Sequence, residues 1–170
     1  MPRQPTAKYW ITKLGLQPHP EGGYFSEIYR SADQIPAMAL PARYRGPRAF
    51  STSIYFLLAG TQISTLHRLA SDEQWHFYYG SALLLIMIAP DGTSREVHLG
   101  RCTAAGEQFQ AVIPAGTWMG ARLASHRGYA LIGCTVAPGF EFQDFTAGQR
   151  SDLLERFPQH RKLINALTRP

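Results

Sequence analysis

With 170 residues, 45% hydrophobic and 17% charged, the chain has the balance of one soluble globular domain, which excludes a disordered or fibrous protein. Its net charge of +5 is spread over seventeen Lys and Arg, without the basic stripe expected of a nucleic-acid reader. The longest apolar run, Ala82 to Ala89, is too short to cross a bilayer, and the opening MPRQPTAKYW lacks the apolar core of a secretory leader.

A cytoplasmic protein with neither a nucleic-acid nor a membrane partner is therefore expected. The densest basic set, Arg43, Arg45 and Arg48, falls in a Pro/Gly-rich segment and reads as a solvated loop. Cys102 and Cys134 show no CxxC or zinc spacing, so two reduced thiols are expected.

In chain order, Pro5 to Leu14 predicts a short helix, with Tyr9, Trp10, Ile11 and Leu14 as its apolar stripe and Gly15 as its stop. LQPHPEGGYF is an irregular turn, and Tyr24 to Arg30 the first strand. Ser31 to Arg48, rich in proline, predicts a long loop. Short strands follow at Ser51–Leu58, Gln62–Leu69, Glu73–Tyr79, Leu83–Ile88, Arg95–Leu99, Gln108–Ile113, Thr117–Leu123 and Tyr129–Val136. Even spacing of this kind predicts a sandwich or barrel rather than a parallel α/β sheet. Ser151–Phe157 and Pro158–Leu167 read as closing helices.

The chemistry concentrates in Thr65 to Gly80, TLHRLASDEQWHFYYG. Strict alternation puts Ile63, Thr65, His67 and Leu69 on one face of their strand. It groups Glu73, Trp75, Phe77 and Tyr79 on one face of the next, with His76 opposite unless a bulge intervenes. A carboxylate among apolar strands must be paired or exposed. His67 and Glu73 are thus the expected acid–base pair, joined directly or through one water.

Several blocks together carry a family resemblance: PEGGYFSEIYR at 20–30, STSIYFLL at 51–58, SDEQWHFYYG at 71–80, IPAGTW at 113–118 and CTVAPGFEFQDF at 134–145. The chain resembles the cupin superfamily, and within it the cupin-5 (DUF985) family, over nearly its whole length. The Glu73-to-Gly80 interval matches the first cupin motif, while Gly60 lies one residue farther from His67 than that motif has it. Pro114 and Gly116 resemble the start of the second.

The resemblance implies an all-β fold, the double-stranded β-helix or RmlC-like jelly roll, as a single cupin domain over 1–170. Its β core would span about 22–146, with a short N-terminal helix and C-terminal helices at about 149–168. It also implies a homodimer. A metal-binding cupin offers three histidines and a glutamate, but here Leu69 and Met119 stand at two of the histidine positions, which favours a metal-free pocket without a cofactor.

The expected function is small-molecule binding, with His67 as general base and Glu73 orienting it in an isomerase or epimerase acting on a sugar-like or other small polar substrate. Tyr24, Trp75, His76, Trp118 and Met119 are the expected ligand-binding side chains. A non-catalytic ligand-binding cupin and a metal-dependent cupin enzyme are the alternatives.

Overall fold

The computed structural model describes residues 5–169; residues 1–4 and 170 of the expected domain lie outside the described residues. The first element is α1, Ala7–Lys13, capped by Thr6, whose hydroxyl accepts the Tyr9 N–H at 3.2 Å. The strands are β1 (Gln17–Pro18), β2 (Tyr24–Arg30), β3 (Gln34–Ile35), β4 (Arg48–Ala49), β5 (Thr52–Ala59), β6 (Ile63–Leu69) and β7 (Asp72–Gly80), then β8 (Leu83–Ile88), β9 (Ser94–Leu99), β10 (Gln110–Ile113), β11 (Trp118–Leu123), β12 (Tyr129–Ala137) and β13 (Phe145–Ala147). Two helices close the chain: α2, Arg150–Arg156, and α3, Arg161–Leu167.

Two antiparallel sheets face each other. One has the order β1-β2-β5-β12-β7-β10 and the other β13-β6-β11-β8-β9. Neighbours distant in sequence alternate in both, which is jelly-roll topology. Their inner faces enclose the main core, including Phe56, Leu58, Trp75, Leu85, Met87, Met119, Ile132 and Cys134.

The outer face of the five-stranded sheet is covered by the C-terminal helices. Leu66, Leu84, Ile86, Ile88 and Trp118 pack there against Leu153, Phe157, Ile164 and Leu167. This explains the unbroken apolar run of β8: all six residues are buried, alternately toward the core and toward the helices. On the six-stranded sheet, α1 covers one end only, where Trp10 and Ile11 pack against the cluster of Leu57, Tyr129 and Leu131.

The structure departs from simple strand reading at particular points. The Ser31–Arg48 segment is a loop carrying a single 3-10 turn, Ala37–Ala39, and the two-residue pair β3–β4. A 3-10 turn, Pro158–His160, precedes α3, so the last helix begins later than its proline suggests. The short strands β1 and β13 add to the sheet edges.

The long loop is tied down by Arg48. Its guanidinium is fully buried, forks onto both oxygens of Asp144 at 2.5 and 2.6 Å, and also donates to the carbonyls of Gly46 and Pro47. Arg48 therefore belongs to the interior, not to the solvated loop that its Arg-rich surroundings suggest.

Candidate functional site

Two bulges decide which side chains face the cavity between the sheets. On β6, Met119 pairs with His67 and Ala121 with Ser64, so an extra residue is accommodated at Thr65–Leu66. The Thr65 N–H turns away from the ladder and donates to the Glu21 carbonyl at 3.0 Å. As a result Ser64, His67 and Leu69 line the cavity, while Ile63 joins Leu66 in the layer beneath the helices. Unbroken alternation, which puts Ile63 and Thr65 with His67, fails here because of that bulge.

On β7 the second bulge comes late. Ile132 faces Phe77 and Leu131 faces Tyr79, leaving Tyr78 extra. Glu73 and Trp75 keep the inward face, His76 keeps the outward one, and Tyr79 crosses to the outer cluster.

The cavity has a volume of ≈ 110 Å³. A single water needs roughly 10–15 Å³ on the same measure, so this space is several times larger than one water requires. Phe25, Ile54, Phe56, Trp75, Val136 and Phe140 supply apolar walls. His19, Glu21, His67 and Glu73 supply the polar chemistry.

His67 is buried, and its Nδ1 lies 2.8 Å from the Thr65 carbonyl and 3.2 Å from Glu21 Oε2. A carbonyl only accepts, so Nδ1 carries the proton and Nε2 is left as an acceptor. Burial lowers the His67 pKa to about 4, so the ring is neutral near pH 7. The Phe145 ring stacks on it at 5.5 Å.

Glu21 reaches the cavity from the PEGG turn. Its N–H donates to His19 Nδ1 at 3.2 Å, and Ser64 Oγ donates to its Oε2 at 3.3 Å. The His19 proton is therefore on Nε2. Burial lowers the His19 pKa to about 4 as well. Burial chiefly, and then the nearby Glu73, raise the pKa of Glu21 well above the carboxylate range.

The turn needs its glycines. A Cβ on Gly22 would sit 2.2 Å from the Ile63 carbonyl oxygen, and one on Gly23 would sit 2.6 Å from that of Leu57. Both have positive φ, so the backbone can press against β5 and β6 and carry Glu21 inward.

Glu73 is buried on β7 among apolar residues, and its Oε2 has no hydrogen-bond partner. Burial raises its pKa to about 7, against smaller opposing effects of the Trp75 and Cys134 side chains. Trp75 Nε1 is also buried without a partner. No hydrogen bond joins His67 to Glu73 among the described residues; the carboxyl beside the ring is Glu21.

Other expected ligand-binding side chains lie elsewhere. Tyr24 is opposite Leu57 and packs in the outer cluster with α1. His76 points outward, 3.3 Å from Thr135 Oγ1. Trp118 lies beneath the C-terminal helices, with the Arg68 guanidinium over its ring at 4.8 Å. Met119 is buried in the core beside His67 on the neighbouring strand, outside the cavity walls.

At the cavity mouth stand Glu27, Arg30, Phe140, Glu141 and Phe142. Arg30 forks onto Glu27 at 3.0 and 2.8 Å and reaches Glu141 at 2.8 Å. Its charge is thus balanced twice by carboxylates. Strand alternation does not reach Glu21 and His19, which lie in a turn outside the strands that the sequence singles out. The available signal was the PEGG block, where a carboxylate sits between a proline and two glycines.

A two-sheet jelly roll with a polar cavity between its sheets is the cupin architecture. The chain belongs to the cupin superfamily (DUF985) family, whose model matches residues 8–148. It is 35% identical to a hypothetical protein from Leishmania major, with a TM-score of 0.89 and coverage of 98% of this chain and 100% of that one. It is 37% identical to protein SO0799 from Shewanella oneidensis, with a TM-score of 0.88 over 98% of this chain and 99% of that one. It is also 28% identical to the uncharacterized protein YML079W of Saccharomyces cerevisiae, over 91% of this chain and 82% of that one. Oxalate decarboxylase from Bacillus subtilis shares the fold at 16% identity, with a TM-score of 0.54 over 89% of this chain and 36% of that one.

A cupin metal centre does not fit the donors present. Leu69 and Met119 occupy two of the expected ligand positions, and among the described residues no three His, Cys, Asp or Glu side chains are arranged to hold an ion.

Proposed function

We propose that this chain, acting as one cupin domain over 1–170, binds a small uncharged polar molecule between its sheets and moves a proton on it, as an isomerase or epimerase does. Glu73 carries the reading. A buried carboxyl with a pKa of about 7 and a free oxygen is poised to give or take a proton near neutral pH. Trp75 Nε1 beside it offers an unused donor, and His67 Nε2 an acceptor.

The roles differ from the simplest expectation. His67, with its pKa near 4, serves as a hydrogen-bond acceptor and weak base, positioned by Thr65 and Glu21. Glu73 is the better-matched general acid–base group. An anionic ligand is disfavoured, because Arg30, the one Lys or Arg lining the cavity among the described residues, already faces Glu27 and Glu141. A hydroxylated, sugar-like molecule matches the mixture of aromatic wall, donor and acceptor.

The weak basicity of His67 favours a second reading, a non-catalytic binding pocket. Incubation with a panel of neutral monosaccharides and polyols in D₂O separates the two. Deuterium incorporation at a ring carbon, lost in Glu73→Gln, supports proton transfer. Binding without exchange in the wild type leaves only the pocket, and no binding of any member of the panel ends both readings.

We place the protein in the cytoplasm as a homodimer. The uncovered outer face of the six-stranded sheet carries Tyr29, Tyr78 and Val112, each about half exposed, which suits a second copy.

A further inference from the structure

A second, more open cleft of ≈ 570 Å³ lies at the β13 edge of the five-stranded sheet. Arg43 and Arg45 enter it from the long loop and Arg68 from β6, with Gly116 and Thr146 on its walls. We propose that this cleft is an anion site that takes the phosphate group of a small phosphorylated molecule.

The three guanidiniums have no carboxylate partner among the described residues. Arg30 and Arg48, by contrast, each fork onto an acid. Asp144 also lines the cleft, but Arg48 occupies both of its oxygens. The cleft therefore gathers positive charge with nothing to balance it, and a bound anion relieves that repulsion.

Two of the three cations are held in place. Arg68 lies over the Trp118 ring at 4.8 Å. Arg43 lies over Tyr44 at 4.9 Å, and its Nε donates to the Ala70 carbonyl at 2.7 Å. Stacking of this kind fixes the plane of a guanidinium while its terminal nitrogens stay free to donate. Planar forks lining one cleft from two elements suit the tetrahedral oxygens of phosphate, where a bidentate pair adds direction as well as charge.

Pro41 and Pro47 each fix their own backbone torsion, and the buried Arg48–Asp144 pair anchors the end of the loop. Little ordering is left to be done when the ligand arrives, which favours affinity. A concave set of three cations fits one phosphate or diphosphate group better than a long polyanion.

Calorimetry at low ionic strength tests the assignment on the full chain, with pyrophosphate and glycerol phosphate as probes. Saturable one-to-one binding is expected. Arg45→Gln and Arg68→Gln should each weaken it about tenfold, since each removes a charge-assisted hydrogen bond to the anion. Arg68→Lys should restore only part of the loss, because lysine keeps the charge and loses the fork. Arg45 is exposed with no bonded partner, so its replacement leaves the fold alone. Equal weakening in Arg95→Gln, on the remote strand β9, would show a net-charge effect and overturn the site. So would the absence of saturable binding, or binding of a duplex oligonucleotide in place of either small probe.

Discussion

Glu21 Oε2 stands 3.2 Å from His67 Nδ1, although the two residues come from separate parts of the chain. Each is buried, and the carbonyl of Glu21 also takes the N–H that the β6 bulge frees at Thr65. Backbone and side chain of one residue thus set both the strand irregularity and the neighbour of the histidine. With His67 neutral and its Nδ1 proton on the Thr65 carbonyl, the contact is a close polar approach rather than an ion pair.

The first prediction concerns Glu73 and pH. Its folded pKa of about 7 exceeds the ordinary 4.5, so between those values the folded state holds a proton that the unfolded state has lost. Stability from this group therefore falls as pH rises from about 4.5 to about 7 and levels off above. Denaturant titrations should show Glu73→Gln gaining on wild type across that window, by an amount on the order of 3 kcal/mol. A gap between the two proteins that is constant with pH would refute the buried neutral carboxyl. His19 and His67, lowered to about 4, act in the opposite direction and remain in both proteins.

Replacing Glu73 by Gln should cut proton exchange on a turned-over ligand by about 10²–10⁴-fold, the usual share of a general acid–base group. His67→Ala should weaken binding more than it slows exchange. Measuring the two effects separately, through KM and kcat, distinguishes positioning from proton transfer.

His76 serves as the internal control. It faces away from the cavity, with its Nε2 3.3 Å from Thr135 Oγ1. His76→Ala should leave ligand affinity within about twofold of wild type, since surface changes away from a site cost about 0.5 kcal/mol or less. A larger loss would place ligand contacts on the outer sheet face.

Asp144→Asn should be strongly destabilising. It removes the counter-charge of the fully buried Arg48, and breaking such a pair costs about 3–5 kcal/mol. For a chain of this size that corresponds to a melting temperature lower by about 10 °C. Calorimetric scans of the variant read this directly, and an unchanged transition would show that the long loop is anchored elsewhere.

Light scattering should give twice the chain mass of 19.0 kDa. Val112→Asp, on the open outer face, should shift the protein to monomer without altering its far-ultraviolet spectrum. A wild-type monomer at micromolar concentration would remove the dimer.

Much of the fold was legible in the residues. β2 and β8 have the bounds their apolar patterns imply, and Glu73 and Trp75 share the inward face as alternation requires. The family blocks carried the jelly roll. These features follow from local period and spacing, which the chain states directly.

The composition of the site was decided in three dimensions. Ser64 turns inward because Thr65 bonds to a distant turn, and Tyr79 turns outward because Tyr78 is bulged. Glu21 meets His67 only when the PEGG turn presses on β6. The arginines were also sorted by packing: Arg48 went into the core with Asp144, while Arg43, Arg45 and Arg68 were left around one cleft. A register shift, a bond between remote segments and the burial of a charge depend on which surfaces meet. No periodicity within a single strand encodes that.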